Sequence, residues 1–170
     1  MQQTTTPEAG LLAVMNSTPV VDGSHLDYLD DDARAAEIVQ PFTRATPSPA
    51  QLANLRSARD TLQAVTRSKA PASDLNRFLD GVTSRPSIVD GAVHWEVDAP
   101  APDLPAARLV LAWNEIAEKM PGRLRPCANP ECTKFLIDHS KPNTARWCSM
   151  STCGNRLKAR RYQARRSASA

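Results

Sequence analysis

The apolar positions of this chain come in short runs whose spacing reads mostly as helix. The first, LLAVMNS from Leu11, is too brief for periodicity to separate a strand from the buried first turn of a helix. Residues 1 to 10 ahead of it are polar, with a Pro and a Gly, and read as a loose start. After the turn-like VDGSH, the cluster Asp30, Asp31 and Asp32 leads into ARAAEIV. Carboxylates favour the positive end of a helix and an Asp accepts from its free N–H groups, so a helix starts here. The cluster lacks the spaced oxygen ligands and glycine turn of a hard-cation loop, which leaves capping as the better reading.

Ser48 followed by Pro49 reads as an N-cap and first helical position, and the helix so opened runs to about Lys69. Leu52, Leu55, Leu62 and Val65 share one side of it, while Arg56, Arg59, Asp60 and Arg67 fall mostly elsewhere. A shorter helix is expected from a cap at Ser73 through Leu75, Phe78 and Leu79 to Gly81. PSIVDGAVHWEV then sets an Asp-Gly turn between two β-prone runs, a hairpin signal with His94 and Trp95 on its second strand. A lone histidine beside a strand tryptophan reads as packing or surface. From Ala106 to Met120, the residues Leu109, Trp113, Ile116 and Met120 recur at helical spacing as a core stripe, and Pro121 and Gly122 end the helix.

Composition changes at that stop. The whole chain carries a net charge of +3, with 41% hydrophobic and 23% charged residues, a soluble globular balance without a membrane span. Residues 1 to 120 hold ten Lys or Arg against sixteen Asp or Glu, a net of −6, whereas residues 121 to 170 hold eleven against two, a net of +9. A compact basic module on a mildly acidic body is the distribution expected when one end meets a polyanion. The N-terminus has no basic leading region and no export-length apolar core, so the expected compartment is the cytoplasm, where clustered cysteines bind metal or do redox chemistry more often than they form disulfides. The body carries no glycine-rich phosphate loop, no GxSxG elbow and no HExxH, and the chain is not expected to be an enzyme.

All four cysteines lie in the basic part, as Cys127, Cys132, Cys148 and Cys153, with spacing C-x4-C-x15-C-x4-C. Two close pairs at such a separation are the pattern of a structural zinc site, each pair on a tight turn. Four thiolates close the coordination shell of one structural zinc ion and argue against a catalytic metal. Between the pairs, Thr133 to His139 reads as a strand, Ser140 to Asn143 as a turn, and Ala145 to Cys148 as a returning strand. Ser149 or Ser151 then caps a helix to about Arg165. Phe135, Ile137 and Trp147 form the small core expected of this module, which needs zinc as its staple. His139 is expected on the hairpin surface. In the last helix Arg156, Lys158, Arg160, Arg161, Arg165 and Arg166 cover most of the circumference, and with Arg146 and Asn155 they are the candidate DNA-binding residues. For Asn155, beside Gly154 and a ligand, the role of shaping the turn is preferred over base contact.

The motifs NPEC, RWCSM, CGNR at 153 to 156 and the basic RRY run closely resemble the CGNR zinc-finger domain. The residues ahead of it resemble, more weakly, the helical N-terminal region found with this finger in bacterial stress-induced transcription regulators, with Val14-Met15-Asn16-Ser17 where a Phe-Leu-Asn-Thr pattern is usual. The resemblance implies a four-cysteine zinc site and DNA binding. The expected fold is mainly α with a small β-hairpin: an α-rich regulatory or assembly domain over 1–120, and a treble-clef-like four-cysteine zinc module, ββα, over 121–170. The expected function is a zinc-dependent DNA-binding transcription regulator whose partner is double-stranded DNA, with a small-molecule effector or protein partner at the N-terminal domain and a homodimer compatible with the plan. An RNA-binding accessory protein and a thiol redox switch acting through zinc release are the competing readings.

Overall fold

The computed structural model describes residues 6–43, 45–156 and 158–160. Among these residues it is helix-rich, with three separate two-stranded antiparallel sheets. Helix α1 is Pro7–Met15, opened by the Thr6 hydroxyl accepting from the Ala9 N–H and by Pro7 in the first turn. The chain is therefore helical four residues ahead of the apolar run, and the loose start expected for residues 1 to 10 does not hold from Pro7 onward. Gly10 is where α1 meets the rest of the body: a Cβ there would stand 2.8 Å from Pro41 Cβ.

A small ribbon of β1 (Val20–Val21) and β2 (Ser24–His25) follows, then a 3₁₀ turn at Tyr28–Asp30 and helix α2, Asp32–Val39. Asp31 caps α2 through the Arg34 N–H at 2.8 Å, as the acidic cluster predicts. Helix α3, Pro49–Thr66, carries a full capping box: Ser48 Oγ accepts from the Gln51 N–H and Gln51 Oε1 from the Ser48 N–H. The helix expected from Ser73 is a 3₁₀ segment, Ala72–Phe78, with no side-chain cap. Pro71 stands in the cap position and offers no hydroxyl, so nothing nucleates an α-helix there. Strands β3 (Thr83–Val89) and β4 (Ala92–Asp98) form the predicted hairpin, with Asp90 and Gly91 at φ 50° and 77° as a type I′ turn requires. Helix α4, Leu104–Lys119, is the core helix the stripe predicts.

Leu11, Val14 and Met15 of α1, Leu52, Leu55 and Leu62 of α3 and Leu109, Val110 and Ile116 of α4 make one buried core. Two of its members come from the cysteine-bearing part, Phe135 and Ile137. They lie on β6 (Phe135–Ile137), which pairs with β5 (Leu124–Pro126). The sequence places these two side chains in a small core of the zinc module itself; instead they complete the body's core.

The pairing of β6 also differs from expectation. Its partner is β5, ahead of the first cysteine, and residues 145–148 do not form a strand. The reason is Asp138. Its buried carboxylate accepts from the Ser140 N–H at 2.8 Å and the Ala145 N–H at 2.7 Å, so the returning chain spends its backbone donors on a side chain rather than a ladder. Hydrogen bonds from Ser140 foremost, then the Ala145 N–H and the charge of Arg125, hold the Asp138 carboxyl below the usual carboxylate range. Arg123 fastens the same loop by donating to the carbonyls of Asp138 and Ser140, both at 2.7 Å.

Candidate metal centre

Each cysteine is placed by its own local turn. The Cys127 N–H donates to the Lys134 carbonyl at 2.8 Å and closes the knuckle that joins β5 to β6. Inside it, the Cys132 N–H donates to the Asn129 carbonyl at 2.9 Å, while Asn129 Oδ1 accepts from the Glu131 N–H at 3.3 Å. The second pair is placed by a single π-turn, Met150–Gly154, which begins two residues after Cys148 and contains Cys153, and the Cys153 and Gly154 N–H groups both donate to the Ser149 carbonyl. Ser149, one of the two expected caps, accepts from the Thr152 N–H at 3.4 Å. Gly154 allows a close approach: a Cβ would meet Met150 Sδ at 2.8 Å and Trp147 Cδ1 at 3.3 Å. Helical backbone continues over residues 155–156 and 158–160.

These turns bring the four sulfur atoms within 4.8 Å of one another. Sulfur atoms at about 2.3 Å from a tetrahedral zinc stand about 3.8 Å apart. The separations Cys132–Cys148 and Cys148–Cys153 are both 3.7 Å. Two N–H donors point at the outer faces of the sulfurs, the Cys148 N–H to Cys127 Sγ and Asn129 Nδ2 to Cys153 Sγ, each at 3.5 Å. Donors so placed stabilise thiolate, the form that binds metal. In the protein without metal the thiols pull apart in acidity. Burial first, then the neighbouring thiols, pushes Cys148 well above the ordinary range, and burial raises Cys132 as well. At Cys153 burial also acts upward, but the Asn129 amide and the surrounding thiols outweigh it and hold the group low. A divalent cation relieves this conflict by taking all four as thiolates. Donor set, separations and outer hydrogen bonds all fit one zinc ion.

Asn129 is the ligand-supporting residue that the sequence reading passed over; it is 1% exposed. An Asn two residues ahead of a turn N–H is an Asx-turn signal, and it was available in NPEC. Asn155, preferred for that role, is exposed and makes no side-chain hydrogen bond among the described residues. Arg146 is exposed and lies over the Trp147 ring, 5.4 Å from its centre. Arg156 and Lys158 are exposed. Arg160 is not free: its guanidinium forks onto the Glu131 carboxylate with both bonds at 2.8 Å. Arg161, Arg165 and Arg166 lie outside the described residues. His139 is on the surface as expected, paired with Glu8 of α1 at 2.6 Å.

The knuckle is tied to the helical body by more than the shared core. Asn16, the residue after α1, accepts from the Phe135 N–H at 2.7 Å and donates to the Phe135 carbonyl at 3.2 Å. Thr133 Oγ1 donates to the Thr18 carbonyl at 2.9 Å, and Arg67 donates to the Thr133 carbonyl at 2.6 Å with its guanidinium over the Phe135 ring. Arg67, which the sequence sets off the apolar side of its helix, thus faces inward onto the knuckle. No helix among the described residues is long and apolar enough to cross a membrane.

Compared with known protein families, residues 123–166 match the model described as CGNR zinc finger. No curated protein matches the chain. The match begins at Arg123, whose side chain fastens the Asp138 loop, and it takes in all four clustered cysteines and the first described turns of the basic helix.

Proposed function

We propose that this protein is a zinc-dependent DNA-binding transcription regulator, and not an enzyme, in which residues 121–170 contact duplex DNA and residues 1–120 sense a ligand or mediate assembly. The observation that carries the reading is the placement of Cys153. One residue is both a member of the sulfur cluster and part of the turn that opens the basic helix, with exposed Asn155, Arg156 and Lys158 directly after it. Zinc so held fixes where cationic side chains stand, and phosphates are the ligands that such an array serves. The +9 charge of residues 121 to 170 supports a polyanion, and the ββα order of knuckle hairpin and helix suits a treble-clef module. The zinc itself stays structural; the chain's own residues make the contacts.

The test is fluorescence anisotropy of labelled duplex DNA with zinc-loaded protein over a salt series. Affinity should fall steeply with salt, and the Arg156→Ala, Lys158→Ala double variant should lower the logarithmic salt slope by about two, one per lost phosphate contact. Zinc-loaded protein that shows no salt-sensitive binding to a random duplex pool sinks the proposal, and so does structured RNA that outcompetes duplex by more than tenfold.

A further inference from the structure

The β3–β4 hairpin stands apart from the core. Of its fourteen paired residues only Val97 is even partly buried. Its register sorts the side chains cleanly, because residues alternate between faces and partners share one. Ser84 with Val97, Pro86 with Trp95, and Ile88 with Val93 lie on one face; Thr83 with Asp98, Arg85 with Glu96, Ser87 with His94, and Val89 with Ala92 lie on the other. The first face is apolar and bare: Ile88 is 70% exposed, Trp95 65% and Val93 57%. A two-stranded ribbon is marginal in water unless a face is covered.

We infer that this face pairs with the same face of a second copy of the chain. Three observations select that occupant. First, the ribbon is acidic, with Arg85 against Asp90, Glu96 and Asp98, so a polyanion is excluded. Those charges lie on the polar face or at the turn, and an antiparallel face-to-face pair buries none of them and keeps the two Asp90 tips at opposite ends. Second, β3 is a poor template for edge-to-edge addition. Counting outward from the two-residue turn, Val89 and Ala92 form a hydrogen-bonded pair, so the Pro86–Trp95 pair is non-hydrogen-bonded and the Pro86 nitrogen points off the edge with no proton to give. Third, the area suffices. The exposed parts of Trp95, Ile88, Val93 and Pro86 come to about 400 Å², and two copies with their polar margins bury about 1,000 Å², the low end for a specific interface. A reversible dimer dissociating at about 10 µM is the strength such an area supports. The inference is independent of nucleic-acid binding.

Sedimentation velocity of the zinc-loaded full chain, from about 1 to 200 µM around the expected constant, tests it. The wild type should pass reversibly from monomer to dimer. Trp95→Lys should weaken association by at least about thirtyfold, with Ile88→Lys as the second apolar-face variant, while Arg85→Glu on the polar face should stay within about threefold. Zinc content and circular dichroism report whether each variant is folded. A chain monomeric throughout overturns the inference, whether the face then stays bare, is covered by the chain's own residues or takes only a different protein. Equal weakening by the Arg85 and Trp95 variants overturns it too.

Discussion

Replacing Asn16 by Ala should loosen the zinc knuckle's attachment to the helical body while leaving every sulfur ligand in place. The side chain serves Phe135 twice, accepting from its N–H at 2.7 Å and donating to its carbonyl at 3.2 Å. Phe135 is 1% exposed, so neither group can turn to bulk water when the amide is removed. A buried group left without its partner costs about 1–3 kcal/mol. The shorter bond to the single-proton donor falls near 2 kcal/mol and the longer one, to a carbonyl with a second lone pair, near 1 kcal/mol, for a total of about 3 kcal/mol. For a chain of this size that lowers the melting temperature of the zinc-loaded protein by about 6–12 °C. Small zinc modules fold only with their metal, so the lost contact should also appear in metal binding, as a fall in zinc affinity of about a hundredfold in chelator competition. Asn114→Ala is the control, since its amide donates at 3.0 Å to exposed Glu118, and its cost should stay within about 0.5 kcal/mol. The reasoning fails if zinc affinity stays within about threefold of wild type, for the knuckle would then be docked without metal.

Cys148→Ser should abolish stoichiometric zinc binding and, by withdrawing Phe135 and Ile137 from the shared core, cost the body about 3–5 kcal/mol by thermal unfolding at 222 nm. Asp27→Ala should cost about 2 kcal/mol: Arg59, 3% exposed, donates to Asp27 at 2.7 Å, to Ser17 at 2.9 Å and to exposed Asp60 at 2.9 Å, and the variant leaves its buried guanidinium with the solvent-facing carboxylate alone. Burial pushes the Asp27 carboxyl up, but the Arg59 bond outweighs it and holds the group below its ordinary value. The stabilisation is therefore complete above about pH 4 and lost as pH falls through the folded-state value, so wild-type and variant melting temperatures should converge in acid. Glu131→Gln should release Arg160 from its forked pair and tighten duplex binding severalfold, with a salt slope larger by about one; unchanged affinity would place Arg160 outside the interface.

Local signals carried the parts of this fold that the sequence disclosed. Ser48-Pro49, Asp90-Gly91 and the stripe from Leu109 to Ile116 each act within one element, and α3, the β3–β4 turn and α4 lie where they say. The cysteine spacing is likewise local, and the cluster followed. The misses are non-local. Asn16 meets Phe135 across 119 positions, and buried Arg59, besides its neighbour Asp60, pairs with Asp27, which is 32 positions away. No periodicity shows that an arginine on a helix flank will be paired and swallowed. The strand partner of β6 was hidden differently, because β5 ends in Pro126, a residue that argues against a strand unless it sits on a ladder edge. Alternation favoured 145–148 instead, and only the Asp138 loop shows why that segment stays irregular.

The contacts around the knuckle also say what the metal contributes. With the four sulfurs joined, the first turn of the basic helix connects through Cys153 to Cys132, and the neighbouring Thr133 is bonded to Thr18 and Arg67 of the body. Without metal, the covalent link from that turn to β6 is the irregular chain from Asp138 to Ser149, helped by the Ala128 N–H on the Arg146 carbonyl at 2.8 Å and by the exposed Arg160–Glu131 fork. Zinc thus replaces a loose covalent tether by a cross-brace, and on the proposed function its benefit is preorganisation of the cationic side chains, not a contact to DNA. Order and contact have different signatures in a salt titration. Asn16→Ala at saturating zinc should weaken duplex binding but leave the salt slope as in wild type, because no phosphate contact is lost. Arg156→Ala should reduce the slope by about one. An Asn16 variant that lowers the slope as Arg156→Ala does would show that the knuckle's attachment to the body holds a phosphate contact directly, and the division between brace and contact would fall.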